Sequence, residues 1–382
     1  MLTPEIIIDT EAKFRNVERV WRLGHKGKGV VVALVDTGVD AAALPAGALH
    51  SQEDLTPDGD GRDHHGHGTL MARFILGMAP EAKIASVKAF GKSHQPTRED
   101  LVRALDHCLA TTPRPKFINC SFAVPRRFLL GFSNCTLRSQ CVLCRRVNEL
   151  FQREAIAVVA AAGNFGSGPD SFGCPANARW ASKVRSLENL EKFSWRELAR
   201  GLVPSADGED RGTLLGTSQA AALQTGSLAL ISSAFPDKPG GGIAVVMYAS
   251  GVALGVAGRE IYPHLFDEPK GQRLAMPNVY RTYAIFRHER EHPGTLDLDK
   301  SLHYTREMFK ALHRPSTLEE RLNAMTLALK HDESNYLAWL GASLTVQAMN
   351  MPEKAEEFLR RCNELLPPAE AFERQQIFGG AP

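Results

Sequence analysis

Four short stretches constrain the fold more than anything else in the chain: "GVVVALVD" (29–36), "AKIASVKAF" (82–90), "KFINCSF" (116–122) and "AIAVVAAAGN" (155–164). Each is dominated by β-branched and small apolar residues, with little sign of a polar alternate face. A strand apolar on both faces must be covered on both, which is the situation of a central strand in a parallel sheet. Between these runs, "TREDLVRALDHCLA" and "VLCRRVNELFQREA" have helical periodicity. The first begins with Thr97 three residues ahead of Asp100, a capping-box start. The first 235 or so residues therefore predict an α/β domain with a mostly parallel sheet flanked by helices. Open sheets of this kind place their chemistry in loops at the carboxyl ends of strands. Asp36, Asn164 and the segment after Ser121 fall at such ends.

Composition narrows the function class. Across 382 residues the formal net charge is +2, and basic residues occur in short pairs such as Arg126–Arg127 rather than in a patch. That argues against nucleic acid or an anionic membrane as the main partner. The N-terminus "MLTPEIIIDTEAKFRNVERVW" lacks the basic start, apolar core and small-residue cleavage site of a secretory signal. The stretch "GGGIAVVMYASGVALGVAG" is rich in Gly and Ala and lacks flanking anchors, so it predicts a buried core helix and not a membrane span. The seven cysteines are odd in number and scattered, which fits reduced thiols and a cytoplasmic setting. Cys135, Cys141 and Cys144 include a "CVLC" of zinc-like spacing, but a second such pair is missing. No metal ligands are assigned, and these residues read as structural or redox-labile thiols.

From about residue 288 the character changes. "RHEREHPGTLD" is charged and broken by Pro-Gly, and the chain beyond it has helical periodicity interrupted by "HDESN" and "MNMPE". Leu340, Gly341, Leu344, Ala355, Leu359, Cys362 and Pro367 fall near the small, apolar and Pro positions of a helix–turn–helix unit, and the pattern resembles tetratricopeptide repeats. The expected layout is a main domain over 1–287, a linker over 288–296 and a small all-α, tetratricopeptide-like domain over 297–382. Two repeats are few for a solenoid that buries a continuous core, so a helical hairpin bundle is the alternative.

The residues that carry chemistry stand in four settings. Asp36 ends the strand-like run in "VVALVDTGVD", and His67 lies between two glycines in "HGHGTLMA". Asn164 closes "VAAAGN", and Ser218 opens a small-residue helix in "LLGTSQAAALQTG". Alone, a Ser at a helix start is usually a cap and an Asn before Gly or Phe a turn residue. Asp, His, Asn and Ser together in this order resemble the subtilisin-like serine peptidases, or subtilases, whose triad runs Asp…His…Ser. The resemblance spans roughly residues 15–240 and includes "VERVWRLGHKGKGVVVALVDTGVD", "KFINCSFA" and "FGCPA".

What the resemblance implies is a three-layer subtilisin-like α/β fold and an intracellular serine endopeptidase hydrolysing peptide bonds. Asp36 would be the orienting carboxylate, His67 the base, Ser218 the nucleophile and Asn164 an oxyanion donor. Protein or peptide substrate would lie as an added strand against Ser121, Phe122 and Ala123 on one side and Ala161, Ala162 and Gly163 on the other. The helical tail would recruit a protein partner or substrate. No cofactor is required for the chemistry, while structural calcium, common in the family, is not located by the sequence. Acidic "DLTPDGDGRD" lacks the Glu that would close a calcium loop and reads as a solvated loop.

Several positions depart from the family pattern. Ala222 stands where a Pro is usual, and Leu70 where a second His is usual. No clear apolar strand is visible in 178–212, and the Asn164-to-Ser218 interval is short. The peptidase-like domain is expected to start within about 20 residues of Met1, without a pro-region. The rebuilt stretch before Ser218 and the missing Pro support an alternative reading as a catalytically weak or inactive scaffold that binds proteins. A metal hydrolase built on His64, His65 and His67 would leave Asp36, Asn164 and Ser218 unexplained.

Overall fold

Six parallel strands form one sheet in the order β2-β3-β1-β4-β5-β6. The computed structural model describes residues 12, 15–125, 135, 141–164, 172–185, 216–253, 275–313 and 316–366. In chain order the elements are β1 (Val31–Asp36), β2 (Leu49–Asp54), α1 (His67–Met78), β3 (Lys83–Lys88), α2 (Arg98–Cys108) and β4 (Phe117–Cys120). They continue with α3 (Val142–Glu154), β5 (Ala157–Ala161), β6 (Ser182–Val184) and α4 (Thr217–Ala234). The four apolar stretches are β1, β3, β4 and β5, and every residue of β1, β4 and β5 is buried. α2 starts with the expected capping box, Thr97 accepting from the Asp100 N–H and Asp100 accepting from the Thr97 N–H.

Alternating residues divide between the two faces of the sheet. Ala33, Val35, Ile118, Cys120 and Val158 pack in one cluster with Leu101 and Leu105 of α2 and Leu143 and Val147 of α3. On the opposite face, Asn119 accepts from Thr225 of α4 at 2.8 Å. α4 is buried on nearly all sides, its small residues interleaved with Leu223, Leu228, Leu230 and Ile231, as suits a helix through a core. A Cβ at Gly226 would lie 2.4 Å from the Ile75 carbonyl oxygen of α1. The glycine therefore lets α1 and α4, the helices that begin at His67 and Thr217, approach backbone to backbone.

The strand order reverses at β1, with β3 and then β2 on one side and β4 onward on the other. A crevice forms at such a switch point beyond the carboxyl ends of the strands. Asp36 and Ser121 stand at the ends of the two adjoining strands.

The 178–212 stretch does contain a strand, β6, which pairs in parallel with β5. It is a half-buried edge strand of three residues with a central Lys183, so it carries no apolar run. Residues 186–215 lie outside the described residues.

The chain divides into two compact units, Met1–Ala12 with Gly24–Ala244, and Lys13–Leu23 with Val245–Pro382. The sheet lies in the first. The second contains helices Val17–Arg22, Val279–Glu291, Leu298–His313, Leu318–His331, Tyr336–Ala348 and Pro352–Leu365. A buried ion pair between Arg281 and Asp332 sits at its centre. Asp332 also accepts from Ser301 at 2.6 Å, and Asn278 donates to the Tyr336 hydroxyl at 2.7 Å. Burial would push the Asp332 carboxyl up, but Arg281 and the hydroxyls of Ser301 and Ser334 outweigh it and hold it below the usual range. Helix Val279–Glu291 runs into the 288–296 stretch, and the chain turns at His292–Thr295. The breaks at "HDESN" and "MNMPE" are the turns between the last three helices. The Gly-rich stretch from residue 240 begins as helix Gly240–Ser250, and its residues 254–258 lie outside the described residues. Among the described residues no helix is long and apolar enough to cross a membrane.

Candidate active site

Asp36 is the last residue of β1 and 3% exposed. His67 is the first residue of α1, after Gly66 in a left-handed conformation at φ 82°. A carboxylate only accepts, so the 2.6 Å contact between His67 Nδ1 and Asp36 Oδ1 assigns the ring hydrogen to Nδ1. Nε2 is then the basic nitrogen of the neutral imidazole. Asp36 Oδ1 also accepts from the Thr37 N–H at 2.8 Å, while its buried Oδ2 has no hydrogen-bond partner among the described residues. Burial pushes the His67 pKa down. The charge and hydrogen bond of Asp36, with a further contribution from Asp63, outweigh burial and leave it raised.

Gly68 explains how imidazole and carboxylate come so close. A Cβ there would lie 2.1 Å from the Gly38 carbonyl oxygen and 3.2 Å from Asp36 Cβ. Only glycine lets the start of α1 press onto the end of β1.

Asp63 was not singled out in the sequence, and it organises this turn. Its carboxylate accepts from Thr37 Oγ1 at 2.8 Å, from the Gly66 and Thr69 N–H groups at 2.8 Å each, and from Thr69 Oγ1 at 2.6 Å. Burial would push the Asp63 carboxyl up, but the bonds from Thr69, Thr37 and Gly66 outweigh it. The sequence signal was available: an Asp four residues before a Gly-flanked His, next to a helix start that needs its N–H groups capped. The other two histidines are exposed. His64 pairs with Asp60 at 2.7 Å, and the His65 ring lies edge-on to His67 at 6.2 Å.

Ser218 is in the first turn of α4, behind Gly216 as N-cap. Its N–H is among those the helix cannot satisfy internally, and the helix dipole favours negative charge there. Its hydroxyl donates to the Ser121 carbonyl oxygen at 2.6 Å, while Ser121 Oγ donates to the Ser218 carbonyl oxygen at 2.8 Å. These reciprocal bonds fix the start of α4 to the end of β4. Asn164 follows β5 and is exposed. Thr217 Oγ1 donates to its Oδ1 at 3.3 Å, and its Nδ2 lies 4.0 Å from the position a Gly216 Cβ would take. Asn164 and the α4 N-terminus therefore occupy one corner of the crevice.

The two expected substrate-facing segments differ. Ala161 and Ala162 are buried, and Ala162 is already bonded on both sides, its N–H to Val184 and its carbonyl from Gly173, both at 2.9 Å. The Gly163 N–H is also taken, by Thr217 Oγ1 at 3.2 Å. Phe122 and Ala123 lie just beyond β4 and are half-buried, and the Phe122 ring meets Phe90 at 5.2 Å.

The acidic loop holds a cation that belongs to the protein. Lys88, at the end of β3 and 1% exposed, places its Nζ 2.9 Å from Asp58, 3.3 Å from Asp60 and 3.5 Å from Asp54. Burial alone would lower its pKa, but these carboxylates hold it up. The loop is thus fastened to the sheet by an internal ammonium rather than simply solvated. Removing one member of a buried charge group leaves the others uncompensated, at about 3–5 kcal/mol. Lys88→Ala is expected to lower stability by about 3 kcal/mol in urea unfolding of a Ser218→Ala background, at the lower end because Asp60 is partly exposed. A change under about 1 kcal/mol would show that Lys88 does not secure the loop.

Comparison with known proteins identifies a family. The subtilase family profile matches residues 27–249. Subtilisin DY of Bacillus licheniformis is 28% identical over 240 residues, covering 57% of this chain and 82% of its own. The major intracellular serine protease of Bacillus subtilis (strain 168) is 28% identical over 245 residues, covering 56% of this chain and 72% of its own. Among solved structures, a lanthipeptide protease superposes with a TM-score of 0.51 at 18% identity, over 72% of this chain and 93% of that one. That likeness concerns the fold alone. Subtilases need no cofactor for their chemistry, and many bind calcium. With the family profile spanning more than half of its residues, the chain belongs to the subtilase family.

Proposed function

We propose that the protein is an intracellular serine endopeptidase in which Ser218 attacks the scissile carbonyl, His67 takes its proton and Asp36 holds the imidazole. The observation that carries this reading is the 2.6 Å contact of His67 Nδ1 with Asp36, which leaves Nε2 as the base. A serine hydroxyl is a weak nucleophile until a neighbouring base removes its proton. For that step the Ser218 hydroxyl turns from the Ser121 carbonyl toward Nε2. The carboxylate of Asp36 then stabilises the imidazolium. Negative charge developing on the substrate oxygen would be met by the Ser218 N–H and the Asn164 side chain, charge-directed donors that are typically worth 10²–10³ in rate, roughly, when one is lost.

Extended peptide would lie along Ser121, Phe122 and Ala123, with Ala161, Ala162 and Gly163 forming the facing wall. The family relation to an intracellular protease and seven cysteines outside any disulfide support a cytoplasmic location. The region 297–382, proposed as a tetratricopeptide-like domain behind a linker at 288–296, would bind a protein partner or deliver substrate. The single described hydrogen bond of the Ser218 hydroxyl goes to Ser121, which favours the second reading, an inactive scaffold that binds proteins.

A fluorophosphonate probe separates the two. The full chain is expected to be labelled and to cleave denatured casein, and Ser218→Ala is expected to do neither. Labelling that persists in Ser218→Ala removes the nucleophile assignment. An unlabelled full-length chain that binds peptides without cutting them establishes the scaffold.

A further inference from the structure

Four of the seven cysteines meet at one point. The Sγ atoms of Cys135, Cys141, Cys144 and Cys174 all lie within 4.8 Å of one another. Cys135 is 3.8 Å from Cys144, and Cys141 is 3.6 Å from Cys174. Tetrahedral zinc with Zn–S bonds of about 2.3 Å has S···S edges of about 3.8 Å. Both measured edges, which between them use each sulfur once, match that spacing. None of the four is in a disulfide, and all are buried.

The surroundings are those of a thiolate site. Cys141 is the N-cap of α3, and its sulfur accepts from the Cys144 N–H at 3.5 Å. Asn177 donates from Nδ2 to the Cys135 sulfur at 3.1 Å. Such N–H···S bonds fix ligand orientation and spread thiolate charge. The "CVLC" pair is therefore half of a site completed by two residues that no sequence spacing links to it.

We propose that Cys135, Cys141, Cys144 and Cys174 form a tetrathiolate zinc site, structural in role because four protein ligands leave no open position. The site ties the start of α3 to the turn after β5. Cys174 also pairs by reciprocal 2.8 Å backbone bonds with Val124, which directly follows Ser121–Ala123. The metal thus anchors the backbone behind one wall of the crevice, away from Asp36, His67 and Ser218. This inference stands whether or not the chain cleaves peptides.

The test uses the full chain with Ser218→Ala, produced with zinc or cobalt(II) salts in the medium. Elemental analysis is expected to find about one zinc per chain, lost from Cys144→Ser and Cys174→Ser and kept by Cys108→Ser. The cobalt form is expected to show thiolate-to-cobalt charge transfer and the intense visible bands of a tetrahedral sulfur site. Because the cysteine variants can fail to fold, the cobalt spectrum of the otherwise intact chain decides independently. Absence of thiolate-to-cobalt bands, iron in place of zinc, or mass-spectrometric detection of disulfides among these cysteines would each overturn the proposal.

Discussion

His67→Ala is expected to lower kcat/KM on a peptide substrate by about 10⁶-fold, the scale on which loss of the base from a Ser-His-Asp unit acts. On the proposed reading, loss of Nε2 removes the base that would take the Ser218 proton. His64→Ala and His65→Ala are expected to stay within a few-fold of the unchanged protein, since one is an exposed partner of Asp60 and the other a loop residue. A loss in His65→Ala comparable to that in His67→Ala would defeat the assignment.

The same residue sets a pH dependence. The base must be neutral, and Asp36 and Asp63 raise its pKa above the ordinary value of about 6.5. Activity is therefore expected to fall as pH drops through that raised pKa, with a midpoint above that of an exposed histidine. The sign for stability follows from linkage. Protonated His67 stabilises the fold fully below the unfolded-state pKa, and this contribution is lost as pH rises through the folded-state value. A kcat/KM profile whose acid limb lies below pH 6 would contradict the raised pKa.

Asp36→Asn is expected to cost about 10⁴-fold in kcat with little change in fold. An amide can donate to Nδ1, and that holds the imidazole in the tautomer whose Nε2 carries hydrogen and cannot accept from serine. Removing the carboxylate also removes the largest influence raising the His67 pKa, so the residual acid limb should move to lower pH. Both effects follow from the single 2.6 Å contact. Undiminished kcat, or an acid limb that stays in place, would show that Asp36 does not act on His67.

The interior of the sheet could be read along the chain because β1, β3, β4 and β5 are covered on both faces, which leaves a continuous apolar signature. β2 and β6 could not, for one physical reason: both are sheet edges. Edge strands keep polar and charged residues, as in "LHSQED" and "SKV", and such residues do not distinguish a strand from a loop. The candidate residues Asp36, His67, Asn164 and Ser218 were legible because each stands in its own local setting of strand end, glycine pair or helix start. Their joint pattern, more than any one of them, carried the meaning.

What sequence alone determined, then, was the central parallel sheet, its helices and the identity of four candidate residues, all written in local periodicity and local motif. The tertiary structure decided which distant groups meet. Lys88 joins Asp54, Asp58 and Asp60, Asp63 gathers Thr37, Gly66 and Thr69, and Cys135 and Cys174 complete the "CVLC" pair. Each of these clusters forms where loops converge on the sheet. Buried charges and thiols need partners, but the chain order of those partners is set by how strands are ordered and loops cross, and no local spacing records it.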